Sequence, residues 1–386
     1  MSAHGQTSSV GLREWLSKAP GRAAVLGVAL VVIGVAIGVV IGGILFAAVD
    51  PIIPGPVPID LKASGRYVAL GDSYSAGEGL EPFEVGTEDI EDGGDRCHRS
   101  AGFAYPLLLQ FVPEFPTETV FRACSGADVE NVLDFVQEHS GVANHLGLQV
   151  GPDFGGDDVT LVTISIGGND VDFAKVLSFC FNEGPDCSRL PYQGKYETLE
   201  AWADAVIPQL KTELTGFYRR LRGAFPSARI VVLGYPALFP AKQPSIHSAH
   251  SALCSILFQR WAAPERQAIR DWGARLNRII FEASEEAASR VEFVDIAPYF
   301  ASHEPCGSGG EWVRFVGLTN DAVRQGSFHP LPDGQRMMAR IVSCYLDIFS
   351  SATDPRTKQT NYAMTGCVAL ETAEVAESPE PAGAEA

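Results

Sequence analysis

Positive charge is scarce in this 386-residue chain: 29 Lys and Arg stand against 47 Asp and Glu, a formal net charge of −18. That excludes nucleic acid as a partner, because phosphate backbones are met by basic surfaces. Charged residues of both signs reach only 20%, while hydrophobic ones reach 46%. A disordered chain is excluded with them. There is no C-x-x-C pair, and His247 and His250 near Cys254 give no zinc spacing, so no metal site is expected. The G-K-[ST] ending of a phosphate loop and the G-x-S-x-G elbow are both missing. No internal repeat is found, and nothing calls for a cofactor.

Residues 23–49, by contrast, run without one charged or strongly polar side chain. As a helix the run would be roughly 40 Å long, enough to cross a ~30 Å hydrocarbon layer with some tilt. Arg13, Lys18 and Arg22 precede it, and Asp50 and Asp60 follow. The positive-inside rule then puts residues 1–22 in the cytoplasm and the body outside the cell membrane, held by a single-pass signal-anchor. The competing reading is a secretory signal cleaved near Ala47 and Ala48, although signal cores are usually only about 7–15 residues. Both readings export the body. Gly34, Gly38 and Gly42 recur at four-residue spacing, a face on which two such helices could dimerise. Glycine is common in membrane helices without that purpose, and a monomer is expected.

Pro51, Pro54, Pro56 and Pro58 mark residues 50–64 as a stiff extended linker. At the other end, residues 353–386 form a C-terminal extension that ends in an acidic, apolar-poor tail expected to stay solvated. Residues 65–352 remain for one domain, large for a single core but admissible. Eight cysteines, Cys97, Cys124, Cys180, Cys187, Cys254, Cys306, Cys344 and Cys367, all follow the anchor. An even count in an exported body points to disulfides, with too many pairings for sequence alone to choose among.

Short apolar runs at 67–70, 119–122, 159–166, 229–233 and 291–296 read as buried strands. Helical periodicity fills 196–224, 264–290 and 333–349. Strands alternating with helices predict an α/β fold with a parallel sheet covered on both faces. Ligands of such sheets bind beyond the carboxyl ends of the strands, so the residues just after each strand are the ones to read for chemistry.

After the first strand comes Gly71-Asp72-Ser73-Tyr74-Ser75, with the Ser73 hydroxyl on a turn whose main-chain N–H groups can meet an anion. After the second comes Ser125-Gly126, and after the third Gly167-Gly168-Asn169-Asp170. A glycine N–H and an asparagine amide arriving from separate strand ends can converge on one oxygen, as an oxyanion hole requires. Before the last helix, Ser327-Phe328-His329-Pro330 offers an imidazole able to take the Ser73 proton. Each of these alone could be an ordinary turn. The seven acids of residues 81–95 lack calcium-loop spacing and are expected to form a solvated loop.

Taken together, Gly71-Asp72-Ser73, Gly126, Gly167-Gly168-Asn169-Asp170 and His329-Pro330 resemble, in order, the four blocks of the SGNH or GDSL-type hydrolases. The resemblance spans residues 66–349, and Cys97-His98-Arg99-Ser100 with Gly234-Tyr235-Pro236 is similar to the secreted bacterial lipase and esterase branch. It implies a three-layer α/β/α sandwich with a flavodoxin-like parallel sheet of about five strands, here preceded by one transmembrane helix. It also implies Ser73 as nucleophile, His329 as base, and Ser73 N–H, Gly126 N–H and the Asn169 side chain as oxyanion hole. The branch implies bridges Cys97–Cys124, Cys180–Cys187 and Cys254–Cys306, leaving Cys344 and Cys367 as a fourth pair it does not vouch for. Many members carry Asp three residues before the histidine, where this chain has Gly326. The branch implies that a main-chain carbonyl, here that of Gly326, orients the imidazole instead, with Asp321 and Asp333 as fallback acids. The expected activity is carboxylic ester hydrolysis by a Ser–His dyad on a lipid or acyl ester. Deacetylation of envelope polysaccharide and a catalytically silent envelope-binding module are the rivals.

Overall fold

The computed structural model describes residues 65–109, 115–116, 118–151, 156–241, 254, 261–315, 318–319, 322–323 and 326–350. All belong to the unit spanning Gly55–Ala386. The expected anchor at 23–49, the linker at 50–64, the tail and Asp321 lie outside the described residues, as does Cys367. Among the described residues no helix is long and apolar enough to cross a membrane.

Five strands form one parallel sheet: β1 (Arg66–Gly71), β2 (Glu118–Phe121), β3 (Val159–Ser165), β4 (Arg229–Leu233) and β5 (Val291–Val294). Their order is β2-β1-β3-β4-β5, the flavodoxin-like arrangement. All four pairings are parallel. β4 is buried at every residue and β3 at all but one, because a parallel sheet carries helices on both faces and has no wet side. The five expected strands fall on these five, each within a few residues.

Eight described α-helices follow in chain order: α1 (Ser73–Ala76), α2 (Tyr105–Leu109), α3 (Val129–Leu133), α4 (Phe173–Glu183), α5 (Leu199–Val206), α6 (Leu210–Ala224), α7 (Ala263–Ala287) and α8 (Pro332–Ser350). α7 packs on α6 and β5, and α8 packs on α2. The buried stripe of α7, Ile269, Trp272, Leu276, Ile280 and Ala283, has the three-to-four spacing of a helix face. The single helix expected over 196–224 is instead α5 and α6 joined by a 3₁₀ turn at Ile207–Gln209. Pro208 accounts for the break, since it has no N–H to continue the α-helical ladder.

The acids of 81–95 are also not merely solvated. Glu84 binds the fully buried Arg99 at 2.9 Å, and Asp95, 2% exposed, accepts from the N–H groups of Cys97 and His145, each at 2.9 Å. Their charges serve as internal fastenings for the segment that leads into Cys97. Disulfides join Cys97 to Cys124, Cys180 to Cys187 and Cys254 to Cys306, and no described cysteine is a free thiol. Between β4 and β5, Arg229 and Glu292 form a two-pronged ion pair at 2.7 and 2.9 Å, joined by the Tyr345 hydroxyl at 2.8 Å.

Candidate active site

Every strand delivers a residue from its carboxyl end to one cavity of about 600 Å³: Ser73, Gly126, Asn169, Tyr235 and Asp295. The turn after β1 is possible only with glycine at 71, whose φ is +117° and where a Cβ would meet the Ser165 carbonyl at 2.3 Å. The Gln149 amide fixes that turn by accepting from Gly71 N–H at 2.8 Å and donating to its carbonyl at 2.9 Å. Asp72 then caps α1, accepting from Tyr74 N–H at 3.0 Å. Ser73 is the first residue of that helix.

His329 comes to the same point from the loop before α8. Its Nε2 lies 2.7 Å from Ser73 Oγ. Its Nδ1 faces the Ser327 carbonyl at 2.9 Å, which sets Nδ1 as the protonated nitrogen and leaves Nε2 to accept. This corrects the expected acceptor, the carbonyl of Gly326. Phe328 adopts φ +61°, and this left-handed bend turns the carbonyl two residues before the ring, not three, toward Nδ1. Gly326 is instead pressed against Gly79, whose Cα would lie 3.0 Å from an added Cβ. Asp333 is exposed and pairs with Arg336, away from the imidazole.

Gly126 has φ +83°, and the turn around it is held by Gln137 Nε2 and His139 Nε2, at 2.6 and 3.1 Å from the Ser125 carbonyl. Asn169 donates through Nδ2 to the Ala127 carbonyl at 2.8 Å. One amide hydrogen is thus used to fix the side chain, and the second remains for an oxygen in the cavity. Sequence reading gave Ser73, Gly126, Asn169 and His329, and the structure brings all four to one cavity.

It missed the framework around them. Tyr235 donates to Asp72 Oδ2 at 2.5 Å and accepts from Gly168 N–H at 3.1 Å, joining three strand ends. Its place just after β4 was the available signal. Burial raises the Asp72 carboxyl to about 6, opposed by donors from Ser165, Tyr235, Tyr74 and Ser75. Burial lowers the imidazole of His329, aided by Arg314 and opposed by the charge of Glu78 and the Ser327 carbonyl, so it titrates below the ordinary 6.5.

The rest of the cavity is apolar. Phe173, Leu177 and Phe181 line it from successive turns of α4, facing Ile269, Gly273 and Leu276 of α7. A Cβ on Gly273 would meet nothing within 4 Å. No cluster among the described residues suits a metal, because the one grouping of possible ligands, Cys254, Cys306 and Glu311, has its two sulfurs in a disulfide.

Comparison with known proteins identifies the family. The profile of the GDSL-like Lipase/Acylhydrolase family matches residues 69–337. Lipase 1 of Streptomyces coelicolor is 33% identical over 275 residues, 71% of this chain and 83% of the relative. A lipase of Streptomyces rimosus is 30% identical over 287 residues, 74% of this chain and 86% of the relative. The crystal structure of phospholipase A1 from Streptomyces albidoflavus NA297 superposes with a TM-score of 0.52 at 30% identity, over 75% of this chain and 100% of that one. Fold and site define an SGNH-type hydrolase, and the chain belongs to the GDSL-like Lipase/Acylhydrolase family. It is a carboxylic ester hydrolase.

Proposed function

We propose that this hydrolase cleaves esters of extended apolar acyl chains, as a lipase does, through an acyl-enzyme on Ser73. The observation that carries the reading is the 2.7 Å contact between Ser73 Oγ and His329 Nε2 at the wall of a cavity lined by Phe173, Leu177, Phe181 and Ile269. Its volume, about 600 Å³, falls within the range of small-molecule sites. Ser73 Oγ attacks the ester carbonyl carbon while His329 Nε2 takes its proton. The carbonyl oxygen becomes an oxyanion, received by the N–H groups of Ser73 and Gly126 and by the second Asn169 amide hydrogen. The leaving alcohol takes the proton from His329. Water, deprotonated at the same nitrogen, then attacks the acyl-enzyme, and the acid departs with Ser73 regenerated. The Ser327 carbonyl keeps the imidazole in the required tautomer throughout.

The sequence of residues 1–60 supports placing this chemistry outside the cell membrane, on a single-pass anchor at 23–49. The test of the function is a fluorophosphonate label together with a panel of chromogenic esters of increasing chain length and phospholipids. Ser73 is expected to carry the label, and medium and long chains are expected to exceed acetyl esters in kcat/KM. A Ser73→Ala protein that folds and turns over normally would overturn the mechanism, and a preference for acetyl-sugars would overturn the substrate class.

A further inference from the structure

A buried carboxylate beside the dyad has no part in the mechanism above. Glu78 is only 3% exposed, and its N–H donates to the Ser73 carbonyl at 3.1 Å, so it stands on the nucleophile's own turn. Its side chain accepts from Ser125 Oγ at 2.5 Å, next to Gly126, and from His98 Nδ1 at 2.9 Å. It lines the same cavity as Ser73 and His329. Taking a carboxylate out of water costs several kcal/mol before its partners repay it, and an apolar side chain would fill the space without that cost. The partners that repay it, Ser125 and His98, tie the acid to the turn that carries Gly126.

Both ring nitrogens of His329 are occupied, Nδ1 by the Ser327 carbonyl and Nε2 by Ser73 Oγ. Glu78 lines the cavity beside them, where its charge favours the protonated form of the imidazole. We infer that Glu78 is a positioning residue that shares with the Ser327 carbonyl the work of the absent triad acid. The carbonyl orients the ring, while Glu78 supplies the negative charge that steadies the imidazolium and, through Ser125, holds the Gly126 turn. The inference rests on the Ser–His reading proposed above.

The groups facing Glu78 come from three segments: His98 ahead of Cys97–Cys124's second cysteine, Ser125 after β2, and His329 before α8. Behind His98 stands Asp89, whose Oδ1 is 3.3 Å from Nε2, with Arg96 acting on the ring in the opposite sense. Burial would raise the Glu78 carboxyl, but the His98 hydrogen bond and charge, then His329 and Ser125, bring it below its ordinary value. Burial would lower His98, but Glu78 and Asp89 hold it above its ordinary value. Arg314 opposes Glu78 at His329.

These signs give two variants whose outcomes run the same way. Glu78→Gln removes the charge and keeps a hydrogen-bonding end. It should lower kcat by about tenfold with KM little changed, and move the acidic limb of kcat/KM to lower pH by about half a unit or more. His98→Gln removes the partner that keeps the buried Glu78 carboxyl ionised, and should therefore also move that limb to lower pH, toward the Glu78→Gln profile. A purely structural role would leave the limb in place in both variants. The inference is overturned if Glu78→Gln keeps kcat within about twofold and the limb in place. Should Glu78→Gln not fold, His98→Gln decides alone, and an unmoved or raised limb overturns it. A wild-type protein that hydrolyses no ester and takes no fluorophosphonate would instead sink the Ser–His reading.

Discussion

The Tyr74 hydroxyl donates to the Phe328 carbonyl at 2.6 Å, so the residue after Ser73 holds the residue before His329. The two lie 254 positions apart in the chain. Gln335 strengthens the link, donating to the Tyr74 carbonyl at 3.1 Å and accepting from Tyr105 N–H at 2.8 Å. Tyr74→Phe removes one hydrogen bond and leaves the ring contacts with Tyr235 and His329 in place. It should cost about 1 kcal/mol of stability and lower kcat several-fold, read by urea unfolding beside steady-state kinetics. Unchanged kcat would mean that the two loops are aligned by other means.

No carboxylate should be indispensable as a hydrogen-bonded third member. Asp333→Asn should keep activity within about tenfold, whereas loss of a triad aspartate costs ~10⁴. The reason is the Ser327 carbonyl at 2.9 Å from Nδ1, with Asp333 paired to Arg336 outside the cavity. A thousand-fold loss in a correctly folded variant would refute it.

The pH profile has a definite sign. In the proposed mechanism His329 must be neutral to accept the Ser73 proton, and burial, with Arg314, holds it below the ordinary 6.5 despite Glu78 and the Ser327 carbonyl. Activity is therefore absent below that pKa, rises through it and is flat above. The half-maximal point of kcat/KM on a soluble ester should fall on the acid side of 6.5. A midpoint on the alkaline side would contradict the placement of the ring.

Far from the cavity, Arg229→Ala should be among the most destabilising single changes. It would strand Glu292, 12% exposed at its side chain, beside a guanidinium site that is 2% exposed. Breaking such a pair costs about 3–5 kcal/mol. Replacing both with Met and Leu should recover most of that loss in a denaturant melt, because no lone charge is left behind. Equal losses in the single and double variants would disprove the account.

The sheet could be read from the sequence because each strand is a short apolar run closed by Gly or a polar turn, and burial on both faces leaves little room for another pattern. α7 and α8 were legible from a stripe repeated over several turns. α1 to α3 have four or five residues each, too few to show a period, and were not found. In the site, Ser73, Gly126, Asn169 and His329 each follow a strand or precede a helix, and it was their order as four blocks resembling one family that marked them. Glu78 and Tyr235 matter through partners 20 to 163 positions away, contacts that exist only once the sheet has formed. Gly326 was misread for a local reason. The left-handed turn at Phe328 shifts the acceptor by one residue, and a phenylalanine gives no warning of such a turn.

An acceptor that is part of the main chain cannot be deleted by changing a side chain. What keeps it in place is the bend at Phe328, and that ring sits in a cluster with Phe239, Trp261 and Phe315, centroids 5.8 to 6.0 Å away. The aim of the imidazole is thus inherited from how four aromatic rings pack edge to face. Heat that loosens this cluster should silence the enzyme while the β-sheet is still intact, so inactivation is expected at a lower temperature than the loss of far-ultraviolet ellipticity. The vulnerable genetic targets for the base are then residues that never touch it.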